Sequence, residues 1–175
     1  MAGTIRIPFA RNLSPQQTAN QGNVFPTISS LTAALPDFDL PHWQFLKDTT
    51  GSLFGYVSLP KTIGAIPAAK IVLIIFSLAT TGVTRMRVQA RPISSDAESL
   101  DKVLDTTIAA QDITVPATVN TTKEVTFTLP TTGNGFPVAA KDTLLVRIQH
   151  DGLDVNDTLA VDTKLLEAYL EVDTS

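Results

Sequence analysis

The densest run of chemically competent side chains is Asp151-Gly152-Leu153-Asp154-Val155-Asn156-Asp157-Thr158, followed by Asp162. Oxygen donors grouped this closely could surround a calcium ion. The order departs from an EF-hand loop, because Gly152 follows the first Asp directly and no Glu stands at the twelfth position. Asp and Asn equally serve to bond backbone N–H groups in turns, and turn chemistry is the expectation here, with calcium as the alternative.

His42 and His150 are the only imidazoles that could act as general bases. Neither stands beside a Gly-x-Ser-x-Gly turn that would expose a serine, and two histidines at HExxH spacing are absent. The chain has no cysteine, which excludes thiolate nucleophiles, disulfides and cysteine-bound metal clusters. Carboxylates for glycoside hydrolysis must face one another at about 5–9.5 Å. Asp37 with Asp39, or Glu167 with Glu171, qualify by abundance alone, and solvated faces are the simpler reading. Phosphate-cradling GxxxxGK and GxGxxG loops are missing. The expectation is a chain without catalytic residues, cofactor or metal, hence not an enzyme.

Arg85, Arg87 and Arg91 share one face of an alternating segment and could hold an anion or an RNA strand. Thirteen basic against seventeen acidic side chains give a net charge of −4, and no aromatic residues interleave with the arginines. Nucleic acid is therefore an unexpected partner, and an exposed sheet face or subunit contact is the better reading. Trp43, Tyr56 and Tyr169 each combine a flat ring with a polar atom, as a sugar platform requires, but each falls in an expected strand, where burial is the usual fate.

The elements that must position these groups follow from a period of two. From His42 onward, eight segments alternate or run β-branched: His42–Lys47, Leu53–Leu59, Lys70–Thr80, Val83–Arg91, Thr106–Val115, Lys123–Leu129, Thr143–His150 and Lys164–Val172. The run from Lys70 suits a strand covered on both faces. Ile71 to Ala79 is nine residues long, too short for a spanning helix of about 20, so no membrane is expected. Lys164–Leu170 has helix-forming residues, but Leu166, Ala168, Leu170 and Val172 alternate with Glu167, Tyr169 and Glu171, which favours a strand. Ser94–Leu104 is the one helix-like patch, with Ser95 and Glu98 at capping-box spacing. Strands with turn signals between them and no long helix predict an all-β antiparallel sandwich of jelly-roll type over residues 42–175. A chain of 175 residues that is 43% hydrophobic and 17% charged can build that core.

Residues 1–41 differ. Pro8, Pro15, Pro26, Pro36 and Pro41 interrupt a polar stretch that still carries Ile5, Ile7, Phe9 and Phe25. The expectation is an extended N-terminal arm that buries these four side chains on an adjacent chain. The N-terminus lacks a basic start followed by an apolar run, so synthesis in a cytoplasm without a signal peptide is expected.

The order HWQFL, SLP, IVLIIFSLATTG, VTFTLP, KDTLLVRIQHDGLDVNDT and LLEAYLEV resembles small jelly-roll virion proteins of double-stranded DNA bacteriophages, of the capsid decoration and head-fibre type. The resemblance implies a structural protein on the capsid exterior, assembled as a homotrimer, with the major capsid protein as partner and the arm clasping neighbours. A single-jelly-roll capsid protein, or a carbohydrate-binding or adhesin module of a phage particle, is the alternative.

Overall fold

The computed structural model describes residues 3–15, 26–32, 39–61, 66, 68–94, 103–105, 107–140 and 142–174. Among them are eleven strands: β1 Gly3–Pro8, β2 Ser14–Pro15, β3 Thr27–Thr32, β4 Asp39–Phe45, β5 Thr50–Ser58, β6 Ala68–Phe76, β7 Val83–Ile93, β8 Gln111–Thr114, β9 Lys123–Thr128, β10 Thr143–Asp151 and β11 Thr163–Thr174. One 3-10 turn, Ala10–Asn12, lies between β1 and β2.

All pairings are antiparallel and form two sheets. One runs β3-β4-β11-β6-β9, with β1 also on β11; the other runs β2-β5-β10-β7-β8. Counting β4 to β11 as strands one to eight, the sheets read one-eight-three-six and two-seven-four-five. Among these eight, successive strands cross between sheets at every step except β7 to β8. This is the eight-strand, two-sheet jelly roll that the alternation predicts.

The physical reason is legible strand by strand. On β7, Thr84, Met86, Val88 and Ala90 are fully buried between the sheets, while Arg85, Arg87 and Arg91 are only half-buried on the outer face. On β10, Leu144, Val146 and Ile148 point inward in the same way. β6 is covered on both sides, as its β-branched run predicts. Ile71, Leu73 and Ile75 face the core, whereas Val72 and Phe76 are buried on the opposite face, the latter with His42 edge-on at 5.1 Å. β11 is a strand despite its helix formers, because ladders on both sides, to β6 and to β1 and β4, satisfy its backbone. β8 is shorter than expected. The carboxylate of Asp105 accepts from the Thr107 N–H at 2.6 Å, a local turn that competes with the sheet ladder before Gln111.

The described parts of the segment expected as an arm over 1–41 lie on the chain's own sheets. β1 pairs along β11 from Gly3↔Thr174 to Pro8↔Tyr169, β2 pairs with β5, and β3 pairs with β4. Phe9 and Leu13 belong to the hydrophobic core, with Ile7 packed against it. Gly55 makes this docking possible: a Cβ there would lie 2.8 Å from Leu13 Cδ2 and 3.1 Å from the Asn12 carbonyl oxygen. Ile7, Phe9 and Leu13 thus serve the chain's own sandwich, where burying them costs no second chain's entropy. The boundary at residues 41 and 42 therefore falls inside β4. Ser95 and Glu98, the expected capping box, lie outside the described residues.

Candidate functional site

The outer face of the five-stranded sheet carries Tyr56, Arg85, Arg87 and Arg91 from among the groups that sequence reasoning singles out. The register of β5, β10 and β7 lays them in three rows: Tyr56–Leu145–Arg91, Phe54–Arg147–Gln89, and Ser52–Gln149–Arg87. Each row crosses three strands whose inward residues are locked in the core, so the outer side chains stand on a rigid base.

Arg147 is the centre of this lattice. Its Nε and Nη2 donate to Ser52 Oγ at 3.2 and 3.1 Å, and Nη1 donates to Gln89 Oε1 at 3.1 Å. Its guanidinium lies 5.6 Å from the centroid of the Phe54 ring. Burial lowers its pKa from the ordinary value and the charge of Arg87 adds to this, against the attraction of Asp151; a guanidinium keeps its charge at neutral pH regardless. Beside it, Tyr56 is 55% exposed.

Two other cations on the face, Arg85 and Arg87, have carboxylate partners. Arg87 Nε is 3.0 Å from Asp151, and Arg85 pairs with Asp112 and, at 3.2 Å, with Asp154. The guanidinium of Arg85 is pushed above its ordinary pKa, chiefly by its hydrogen bond to Asp112. Arg91 Nη1 donates to the Val103 carbonyl at 3.2 Å. The arginine stripe is thus a half-covered sheet face, where the expectation is an exposed face or a subunit contact.

The acidic loop after β10 resolves into turn and ion-pair chemistry. Asp154 accepts from the Asn156 N–H at 3.0 Å; Asp157 takes the Arg85 N–H at 2.8 Å and sits 2.9 Å from His150 Nε2; Asp162 takes the Lys47 N–H at 2.9 Å. Burial raises the Asp157 carboxyl, but bonds from His150 and two backbone N–H groups outweigh it and hold the group below the usual range. No three His, Asp or Glu side chains among the described residues are grouped to hold a metal.

The remaining candidates separate. His150 is 1% exposed beneath Asp157, and His42 is buried against Phe76, so neither is reachable by a substrate. Glu171 accepts from Arg6 at 3.0 Å and from Lys70 at 3.5 Å on the far sheet, and Glu167 is exposed there. Asp37 and Phe25 lie outside the described residues. Of the four arm residues, Phe9 is 1% exposed, Ile7 is packed on the core, and Ile5 at 38% is the most accessible described one.

The three aromatic candidates also part company. Trp43 packs on the core and its Nε1 donates to the Ala10 carbonyl at 3.2 Å. Tyr169 is buried, its hydroxyl donating to Glu124 at 3.1 Å and its ring lying under Arg6 at 4.6 Å. Burial first, then the bond to Glu124, raises its phenol pKa. Tyr56 alone of the three presents an open ring. Sequence reasoning missed Arg147, Gln89 and Ser52 as a group, because their bonds span 58 and 95 residues.

No protein-family model and no curated protein matches the chain. Among solved structures, it is similar to a cleaved adhesin domain of Lys-gingipain from Porphyromonas gingivalis, at 12% identity and a TM-score of 0.54 over 96% of this chain and 97% of that one. A second cleaved adhesin domain of the same protein gives 13% identity and a TM-score of 0.50 over 98% of each chain. The CBM22-1 xylan-binding domain from Paenibacillus barcinonensis aligns at 10% identity with a TM-score of 0.48, covering 98% of this chain and 94% of that one. At these identities the likeness to the adhesin domains is one of fold: the chain is an all-β sandwich of the architecture they share.

Proposed function

We propose that the chain is a non-catalytic carbohydrate-binding module whose ligand face is the outer side of the five-stranded sheet. The observation that carries this reading is the exposed Tyr56 ring beside the fixed polar lattice of Arg147, Gln89 and Ser52. Sugars offer an apolar C–H face and an edge of hydroxyls. A flat ring with a polar handle serves the first, and side-chain donors and acceptors in rigid rows serve the second. Rigidity matters, because each side chain ordered before binding spares about 0.5–1.5 kcal/mol of ordering cost. Both histidines are buried, and Asp151, Asp157 and Glu171 are engaged in ion pairs, which supports binding over turnover.

Attachment to a capsid as a decoration protein, expected from the sequence, uses the same fold but relied on Ile7 and Phe9, which now lie in or against the core. A polysaccharide panel tests the present reading. Wild-type protein is expected to bind at least one glycan, and Tyr56→Ala to lose that binding with unchanged thermal stability. Absence of binding across neutral and acidic glycans overturns it.

A further inference from the structure

Resting on that reading, we propose that the ligand is an acidic polysaccharide, with a sugar carboxylate on Arg147 and a neighbouring ring on Tyr56. Arg147 differs from Arg85 and Arg87 in one respect: its hydrogen-bond partners are the neutral oxygens of Ser52 and Gln89, and it makes no ion pair with any described carboxylate. A guanidinium has five N–H donors. Nε takes one to Ser52, and Nη1 and Nη2 each place one on Gln89 and Ser52. One N–H on each Nη remains, and two N–H groups on adjacent nitrogens are what a carboxylate accepts in a fork.

The charge balance points the same way. The chain carries a net charge of −4, yet the middle of this face holds a half-buried cation whose desolvation the attraction of Asp151, which makes no ion pair with it, offsets only in part. A neutral sugar would offer only neutral acceptors there and leave that cost standing. A carboxylate forms a charge-assisted pair instead. Tyr56 pairs with Leu145, one row from the pair of Phe54 with Arg147, so Tyr56 and Arg147 are diagonal cross-strand neighbours, positions typically about 7–8 Å apart along a sheet. Leu145 lies next to Tyr56 and extends the apolar surface on which a ring can rest.

The test is binding of the full chain to polygalacturonate, to its methyl ester and to a neutral xylan, with Arg147→Gln, Arg147→Lys and Tyr56→Ala, each checked for retained melting temperature. The expected result is that the free acid binds at least about tenfold tighter than the ester and weakens with salt. Arg147→Gln abolishes the difference, and Arg147→Lys restores part of it without the fork. Equal binding of acid and ester by the wild type, which needs no variant to fold, overturns the inference while leaving the carbohydrate reading standing. Binding to none of the three, extended to an alginate and a sialylated glycan, overturns both.

Discussion

The backbone N–H of Phe9 donates to the carbonyl of Ala168 at 2.9 Å, so the ninth residue is tied to the last strand of the fold. The bond sits where β1 ends along β11, and the Phe9 ring it positions is 1% exposed between the sheets. A segment built this way is a structural part of the sandwich.

Phe9→Ala is therefore expected to cost about 3–5 kcal/mol, read as a lower denaturation midpoint with an unchanged slope. Removal of residues 1–15 deletes β1, β2 and the Phe9 and Leu13 side chains and should leave no cooperative unfolding transition. A truncated chain that melts like the intact one would show that these residues are a detachable arm after all.

Gly152 is expected to tolerate no side chain. A Cβ would fall 2.6 Å from the Thr49 carbonyl oxygen and 2.7 Å from His150 Cε1. Backbone on one side and a buried ring on the other leave little to yield, so Gly152→Ala should destabilise by about 1–3 kcal/mol. Calorimetry of the purified variant checks this.

Acid should destabilise the fold through two carboxylates. Burial raises Asp105, but bonds from the Thr107 hydroxyl, Asn134 and the Thr107 N–H outweigh it and hold its pKa below the ordinary value, as happens at Asp157. A depressed folded pKa means that the unfolded chain binds the proton first. Their contribution is thus complete above about pH 5 and is lost as pH falls through the folded values. Melting temperature measured from pH 7 to pH 3 should fall, and Asp157→Asn should fall less steeply over the acid part, from a lower start at pH 7.

Trp43→Phe and Tyr169→Phe separate structural aromatics from the ligand face. Each removes one hydrogen bond, to Ala10 or to Glu124 respectively. Each should cost about 0.5–1.5 kcal/mol of stability and leave glycan affinity unchanged, whereas Tyr56→Ala should change stability within about 0.5 kcal/mol and remove binding. Loss of binding in Trp43→Phe with Tyr56→Ala unaffected would move the site to the other sheet.

Much of this molecule was legible in the order of its residues. The alternation of Thr84, Met86, Val88 and Ala90 with Arg85, Arg87 and Arg91 assigns the two faces of β7, because successive side chains on a strand must point opposite ways. The same rule, with the β-branched run from Lys70, located the eight strands of the jelly roll, and the density of Asp and Asn after His150 announced a turn. Periodicity says which face a side chain takes and is silent on which strand will lie beside it. The placement of β1 on β11 joins residues 161 to 171 apart, and the seat of Arg147 on Ser52 and Gln89 depends on two separate ladders. Equally, Trp43, Tyr56 and Tyr169 look alike along the chain. Tertiary structure alone buried two and exposed one, since burial is decided by what the neighbouring strands and the 3-10 turn cover, a long-range property that local alternation does not encode.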